Sequence, residues 1–257
     1  MTPVRLEQRD RIARLTLDRP EAMNALDEEV LAALPEAIAS VADSDARALV
    51  ITGAGDAFCV GLDIELLGKA FADPVYFRDV LERLKRILLD LEALPVPVIA
   101  AVNGLARAGG FELILASDLA IVASEARIGD THLAFGIVPG GGAVARAPRR
   151  LGPQRARELL LTGRWISGDE AASYGLALRA VPRAALDDEV EQLCALLRPL
   201  SRSALAATKA AMNEAADKPL REALDIETDQ FIRYLTTEPT AREGYQAFVE
   251  KREPRWD

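Results

Sequence analysis

Residues 103–121 read NGLARAGGFELILASDLAI. An apolar run from Pro97 to Val102 leads into this stretch and reads as a buried strand that stops at Asn103-Gly104. Ala108-Gly109-Gly110 then marks a turn, and Phe111 to Leu115 opens a helix. A second stretch of the same kind, AFCVGLD at 57–63, follows a strand spanning Arg47 to Thr52. Turns that open helices leave backbone N–H groups without intrahelical partners, at the positive end of the helix dipole. Two of them aimed at one point form an oxyanion hole, which stabilises negative charge on a carbonyl oxygen.

Glu112 stands in an otherwise apolar segment, where an acidic side chain is costly unless paired or functional. Burial there would raise its pKa towards the range useful for general acid–base work. A buried salt bridge to Arg107 or Arg127 is the structural alternative. Twenty positions on (132 − 112) comes His132, the only histidine, whose imidazole titrates near neutrality. A surface or capping histidine is the plain alternative there. Backbone donors, a carboxylate and an imidazole together suggest chemistry on an acyl group.

Outward from these turns, residues 4–8 and 12–18 alternate apolar and polar and predict a hairpin. Asp27 can cap a helix carrying Val30, Leu31, Leu34, Ile38 and Val41, in which Pro35 predicts a kink or early break. A long helix is expected over 74–93 and a buried strand over Leu119 to Ala123. Strands separated by helical stretches indicate an α/β layer structure with right-handed crossovers. After about residue 183 only helical patterns follow, begun by Leu186, Val190, Leu193 and Leu197. We therefore divide the chain into a core, 1–195, and a C-terminal helical region, 196–257.

Composition narrows the function. A chain of 257 residues fits one large domain or a core with an appendage, and a net charge of −9 argues against a nucleic-acid surface. Cys59 and Cys194 give no disulfide framework, and with a single histidine they cannot supply a typical zinc site. Charged residues near the N-terminus and the lack of any apolar run of about 18 residues predict a cytoplasmic protein without a membrane partner. Ile51-Thr52-Gly53-Ala54-Gly55 imitates a dinucleotide fingerprint but lacks the third glycine and a directly following helix.

The ordered segments RPEAMNALD (19–27), ITGAGDAFCVGLD (51–63), NGLARAGGFELILASDLAI, GIVPGGG (136–142) and AFVEKREP (247–254) resemble the crotonase family, also called the enoyl-CoA hydratase/isomerase superfamily. The resemblance runs from about Val4 to Arg252. It implies an α/β fold, the ClpP-like crotonase spiral of ββα units, with a C-terminal helical trimerisation region. It also implies a homotrimer or a dimer of trimers, with an acyl-CoA as substrate and no further cofactor. The oxyanion donors would be the backbone N–H groups of Leu62 and Gly109, and Glu112 falls on the first catalytic glutamate. Ala25, Asp63, Ile64 and Gly140 would contact substrate, residues 64–83 would border the acyl pocket, and Phe248 and Lys251 would meet the adenine and phosphates of coenzyme A. The departure is at His132, which lies seven positions before Pro139, where the hydratase pattern places its second glutamate; Asp130 is two positions off that slot. Hydration of a 2-enoyl-CoA is the expected reaction, with His132 as a positioning group or base and Glu112 activating water or protonating C2. Double-bond isomerisation, another enolate reaction and non-catalytic acyl-CoA binding are the rival readings.

Overall fold

Val4–Arg9 (β1) and Ile12–Leu17 (β2) pair antiparallel around Asp10 and Arg11, which both take positive φ, as a tight two-residue hairpin turn requires. Asp27 caps α1 (Glu28–Ala42) by accepting the Val30 amide at 2.8 Å. Pro35 does not end this helix early. It removes one N–H from the ladder, yet Leu31, Leu34 and Ile38 on either side are buried and hold the helix on the core. The computed structural model describes residues 2–256.

β3 (Ala48–Gly53), β4 (Ala57–Cys59), α2 (Ile64–Ala72) and α3 (Pro74–Ala93) follow. Asp73 caps α3 with Pro74 at its first position, so the 74–93 expectation holds at both ends. Next come β5 (Val98–Val102), β6 (Leu105–Arg107), α4 (Gly109–Ala116), β7 (Leu119–Ala123) and β8 (Arg127–Gly129). α5 (Ala143–Leu151), α6 (Pro153–Thr162), β9 (Ile166–Ser167), α7 (Gly168–Ser173) and β10 (Arg179–Val181) complete the mixed part. The rest is helical: α8 (Leu186–Leu197), α9 (Arg202–Ala215), α10 (Leu220–Thr237) and α11 (Pro239–Glu250).

Six strands join in the order β1-β2-β3-β5-β7-β10 and four in the order β4-β6-β8-β9. Three times the chain places a strand in the large sheet (β3, β5, β7), then one in the small sheet (β4, β6, β8), then turns into helix. These successive strands lie parallel within each sheet, so the repeated unit is ββα and the path is a spiral. Alternation along the large sheet separates two apolar faces. Leu49, Ile51, Val98 and Ala100 face the main core, whereas Ala48, Val50, Ile99 and Ala101 meet Leu186, Val190 and Cys194 of α8.

Two buried asparagines stitch the turn between β3 and β4. Asn103 accepts the Gly53 amide at 3.2 Å and donates to the carbonyls of Gly53 (2.9 Å), Gly55 (3.0 Å) and Ala57 (3.1 Å). Asn24 donates to Ala54 and Ala57. The turn thus presents carbonyls to amides, and β4 rather than a helix follows it, which is not how a phosphate-binding loop is built. Asn103→Leu leaves several of these groups without partners, each costing about 1–3 kcal/mol. A urea titration is expected to show a loss on the order of 3 kcal/mol.

The tail beyond α8 is fixed to the core through polar contacts. Arg202 donates to the carbonyls of Ala42 (2.6 Å) and Ala46 (3.2 Å), and buried Lys209 reaches Leu91 O, Val96 O and Asp118. Met212, Leu220, Leu224, Phe231, Ile232 and Leu235 remain exposed on α9 and α10. Among the described residues no helix is long and apolar enough to cross a membrane.

Candidate active site

Backbone packing places the two glycine turns against each other. A Cβ on Gly61 (φ +88°) would sit 2.8 Å from the Gly109 nitrogen, and one on Gly109 would sit 2.9 Å from Gly61 Cα. Only glycine allows this approach. The RPEAMNALD segment braces the first turn: Leu26 donates to Gly61 O at 2.8 Å, and Asp63 donates back to Leu26 O at 3.0 Å. Arg19 then ties the segment down, reaching Ala25 O (2.9 Å), Asp27 (3.1 Å) and Asp63 (3.2 Å). Among the described residues, neither the Leu62 nor the Gly109 amide has an acceptor in the chain. The two differ in one respect from the helix-start pattern. Gly109 is the first residue of α4, but Leu62 precedes Asp63, whose carboxylate caps α2.

Glu112 lies one turn into α4 and is 1% exposed. No arginine or lysine pairs with it among the described residues. Arg107 stacks over Phe135 and Arg127 over Trp165, so the salt-bridge alternative does not hold. Its countercharge is a helix start: Oε1 accepts the Ala143 amide at 3.0 Å, at the first residue of α5, and the Gly141 backbone packs against Oε2. The Gly140-Gly141-Gly142 loop is therefore a cradle for the carboxylate. Burial pushes the Glu112 pKa above the ordinary carboxylate value, partly offset by the Ala143 amide and the His132 charge.

The Ala108 amide donates to the carbonyls of Gly129 and Asp130, both at 3.2 Å, which holds the end of β8 beside the start of α4. His132 opens a 3-10 turn, His132–Phe135, directly after it. Its charge and that of Glu112 each favour the other's ionised form. Burial lowers the His132 pKa, but the hydrogen bond and charge of Asp130, with the charge of Glu112, outweigh it and the net direction is upward. Gly109 and Glu112 thus share α4, the turn before Leu62 packs on Gly109, and His132 follows the β8 end that the start of α4 holds.

The remaining expected contacts are more dispersed. Ala25 and Asp63 act as braces, Ile64 is exposed at the start of α2, and Gly140 packs against Leu81 of α3. A cleft of about 330 Å³ lies between Phe77, Leu81 and Gly140, within reach of the loop that holds Glu112. A larger cavity of about 1290 Å³ runs between α3, α5, α9 and α10; neither Glu112 nor His132 lines it, and its Arg146, Arg149 and Lys209 already pair with Glu92, Asp217 and Asp118. Phe248 and Lys251 are exposed at the end of α11, which packs chiefly on α9 and α10 and stands apart from this group. Cys59 and Cys194 are buried, and burial pushes their thiols up to about 12 and about 11, so neither is a thiolate at neutral pH.

A ββα spiral of this kind, followed by a helical C-terminal region, is the crotonase fold. The chain belongs to the enoyl-CoA hydratase/isomerase family, whose model matches residues 7–257. It is 37% identical over 249 residues to the crotonyl-CoA hydratase of Syntrophomonas wolfei, covering 96% of this chain and 95% of that protein. The crystal structure of an enoyl-CoA hydratase from Bacillus anthracis superposes with a TM-score of 0.92 at 32% identity, over 99% of this chain and 98% of that one. An enoyl-CoA hydratase from Mycobacterium smegmatis gives a TM-score of 0.92 at 33% identity, over 100% and 99%.

Proposed function

We propose that this protein is an enoyl-CoA hydratase, which adds water across the 2,3 double bond of a 2-enoyl-CoA to give a 3-hydroxyacyl-CoA. The observation that carries the reading is Glu112: a carboxylate 1% exposed, held by the Ala143 backbone amide, with the charge of His132 acting on it. The Leu62 and Gly109 amides form the oxyanion hole. They polarise the thioester oxygen, so that C3 becomes electrophilic and negative charge at C2 is delocalised onto that oxygen. Glu112 as carboxylate takes a proton from water while its oxygen bonds to C3. His132 as imidazolium delivers the proton that C2 receives, and transfer from Glu112 to His132 resets the pair. The electrostatics support this division, because Asp130 and Glu112 both favour the charged imidazole.

The test is a spectrophotometric assay of the purified protein with 2-enoyl-CoA and 3-enoyl-CoA substrates. Hydration is expected to consume the 2-enoyl absorbance and yield a 3-hydroxyacyl product. Conversion of 3-enoyl to 2-enoyl-CoA without water uptake would instead identify an isomerase, and acyl-CoA binding with no turnover would identify a binding protein.

The exposed apolar residues of α9 and α10 support assembly into a homotrimer or a dimer of trimers. In that assembly Phe248 and Lys251 serve coenzyme A, an aromatic face for adenine and a cation for phosphate on a chain of net charge −9.

A further inference from the structure

Asp130 has no exposed surface, and its side-chain hydrogen bonding goes to one residue two positions on. Oδ1 stands 2.9 Å from His132 Nδ1 and accepts the His132 backbone N–H at 3.3 Å. Oδ2 has no partner, and no lysine or arginine comes within ion-pair reach of the carboxylate, both among the described residues. A buried carboxylate without countercharge costs several kcal/mol. The group placed to offset it is the imidazolium of His132.

The backbone between the two residues is built for this contact. Thr131 holds φ +57°, the left-handed region that a β-branched residue adopts at a cost of about 1–3 kcal/mol. That bend lets residue 130 turn back on residue 132. Strain spent on so local a contact, with a buried carboxylate on one side and a ring that is 17% exposed on the other, indicates a held imidazole rather than a surface histidine.

We propose that Asp130 is a positioning residue: its carboxylate accepts a hydrogen bond from Nδ1–H of His132, fixes the tautomer and ring orientation, and leaves Nε2 as the atom that meets substrate. This deepens the hydratase reading of the site and rests on it. Asp130 never touches the reacting carbons. It acts as a carboxylate that orients an imidazole, the role such groups play beside catalytic bases and metal-bound histidines. The charged groups facing His132 are Asp130 at the end of β8, Glu112 from α4 and Arg107 from β6; the first two favour the imidazolium and Arg107 opposes it.

His132 is the only histidine, so its ring nitrogens give unassigned but unambiguous NMR signals in the whole protein. A 15N titration of the native enzyme is expected to show the neutral ring protonated at Nδ1, with a midpoint above the ordinary 6.5. In Asp130→Asn the midpoint is expected to fall by an amount equal to about a tenfold change in the acid constant. Turnover should drop about 10–100-fold with KM little changed, and the alkaline limb of the pH–rate profile should move to lower pH. A neutral native ring protonated at Nε2, or a midpoint that Asp130→Asn leaves in place, would overturn the proposal. If the variant does not fold, the tautomer in the native protein decides the question alone. Absence of turnover on every enoyl-CoA, with the Nδ1 tautomer present, would sink the hydratase reading and leave the Asp130–His132 contact standing.

Discussion

Glu112→Gln is expected to lower the turnover of 2-enoyl-CoA by about 10²–10⁴-fold, the usual contribution of a general acid–base group, while acyl-CoA binding is retained. The variant keeps the shape of the side chain and an oxygen to accept the Ala143 amide, so the α5 start stays satisfied. What it loses is the ability to exchange a proton with water. Steady-state kinetics with a titration of binding by a non-reacting acyl-CoA separate the two effects. Retained turnover would remove Glu112 from the chemistry.

The same substitution carries a stability signature. Burial raises the Glu112 pKa above its ordinary 4.5, so the folded chain holds this proton more tightly than the unfolded chain. Stability contributed by the site is therefore present below 4.5 and declines as pH rises through the folded value. Glutamine cannot ionise. The melting temperature of Glu112→Gln relative to wild type should accordingly rise as pH is taken from 4.5 upward, and a flat difference would show that the carboxylate is not penalised by burial.

Gly141→Ala is expected to cut kcat/KM by about 10²-fold or more, though the residue offers no side chain to substrate. Its Cβ would lie 2.1 Å from Glu112 Oε2 and 2.9 Å from Leu84 Cδ2. A carbon and an oxygen need roughly 1 Å more than that, and a catalytic group misplaced by about 1 Å commonly costs 10²-fold. Leu84 closes the other side, so the carboxylate has to move. Thermal melting alongside the kinetics distinguishes displacement of Glu112 from global destabilisation. An alanine variant with wild-type kinetics would show that the cradle tolerates a shifted carboxylate.

Much of the fold was legible because long elements carry their own boundary chemistry. Asp73 before Pro74 marks the start of α3, and the exclusively helical pattern after 183 agrees with β10, ending at Val181, being the last strand. The small sheet was harder to see. β6, β8 and β9 have two or three residues each, too few for any period, and they exist because neighbouring strands accept them rather than through local propensity. The early break that Pro35 suggests is absent for a related reason, since tertiary burial of Leu34 and Ile38 overrides a local helix breaker.

Glu112 could be singled out because an acid in an apolar run is expensive, a cost visible without coordinates. The helix start that holds it, at Ala143, could not, because glycines at 140–142 give no hint of which carboxylate they enclose. In the sequence Asp130 is marked only by lying two positions from the expected slot. Residues i and i+2 do not normally face each other on regular helix, and it takes the left-handed Thr131 to bring Asp130 onto the ring of His132.

A crystal structure with a bound, non-reacting acyl-CoA analogue bears most directly on all of this. The thioester oxygen should accept from both the Leu62 and Gly109 amides at about 2.7–3.1 Å, with the Glu112 carboxylate and His132 Nε2 facing C3 and C2. A thioester oxygen bound elsewhere, or an acyl chain that leaves Glu112 and His132 on its far side, would contradict the proposed enolate chemistry.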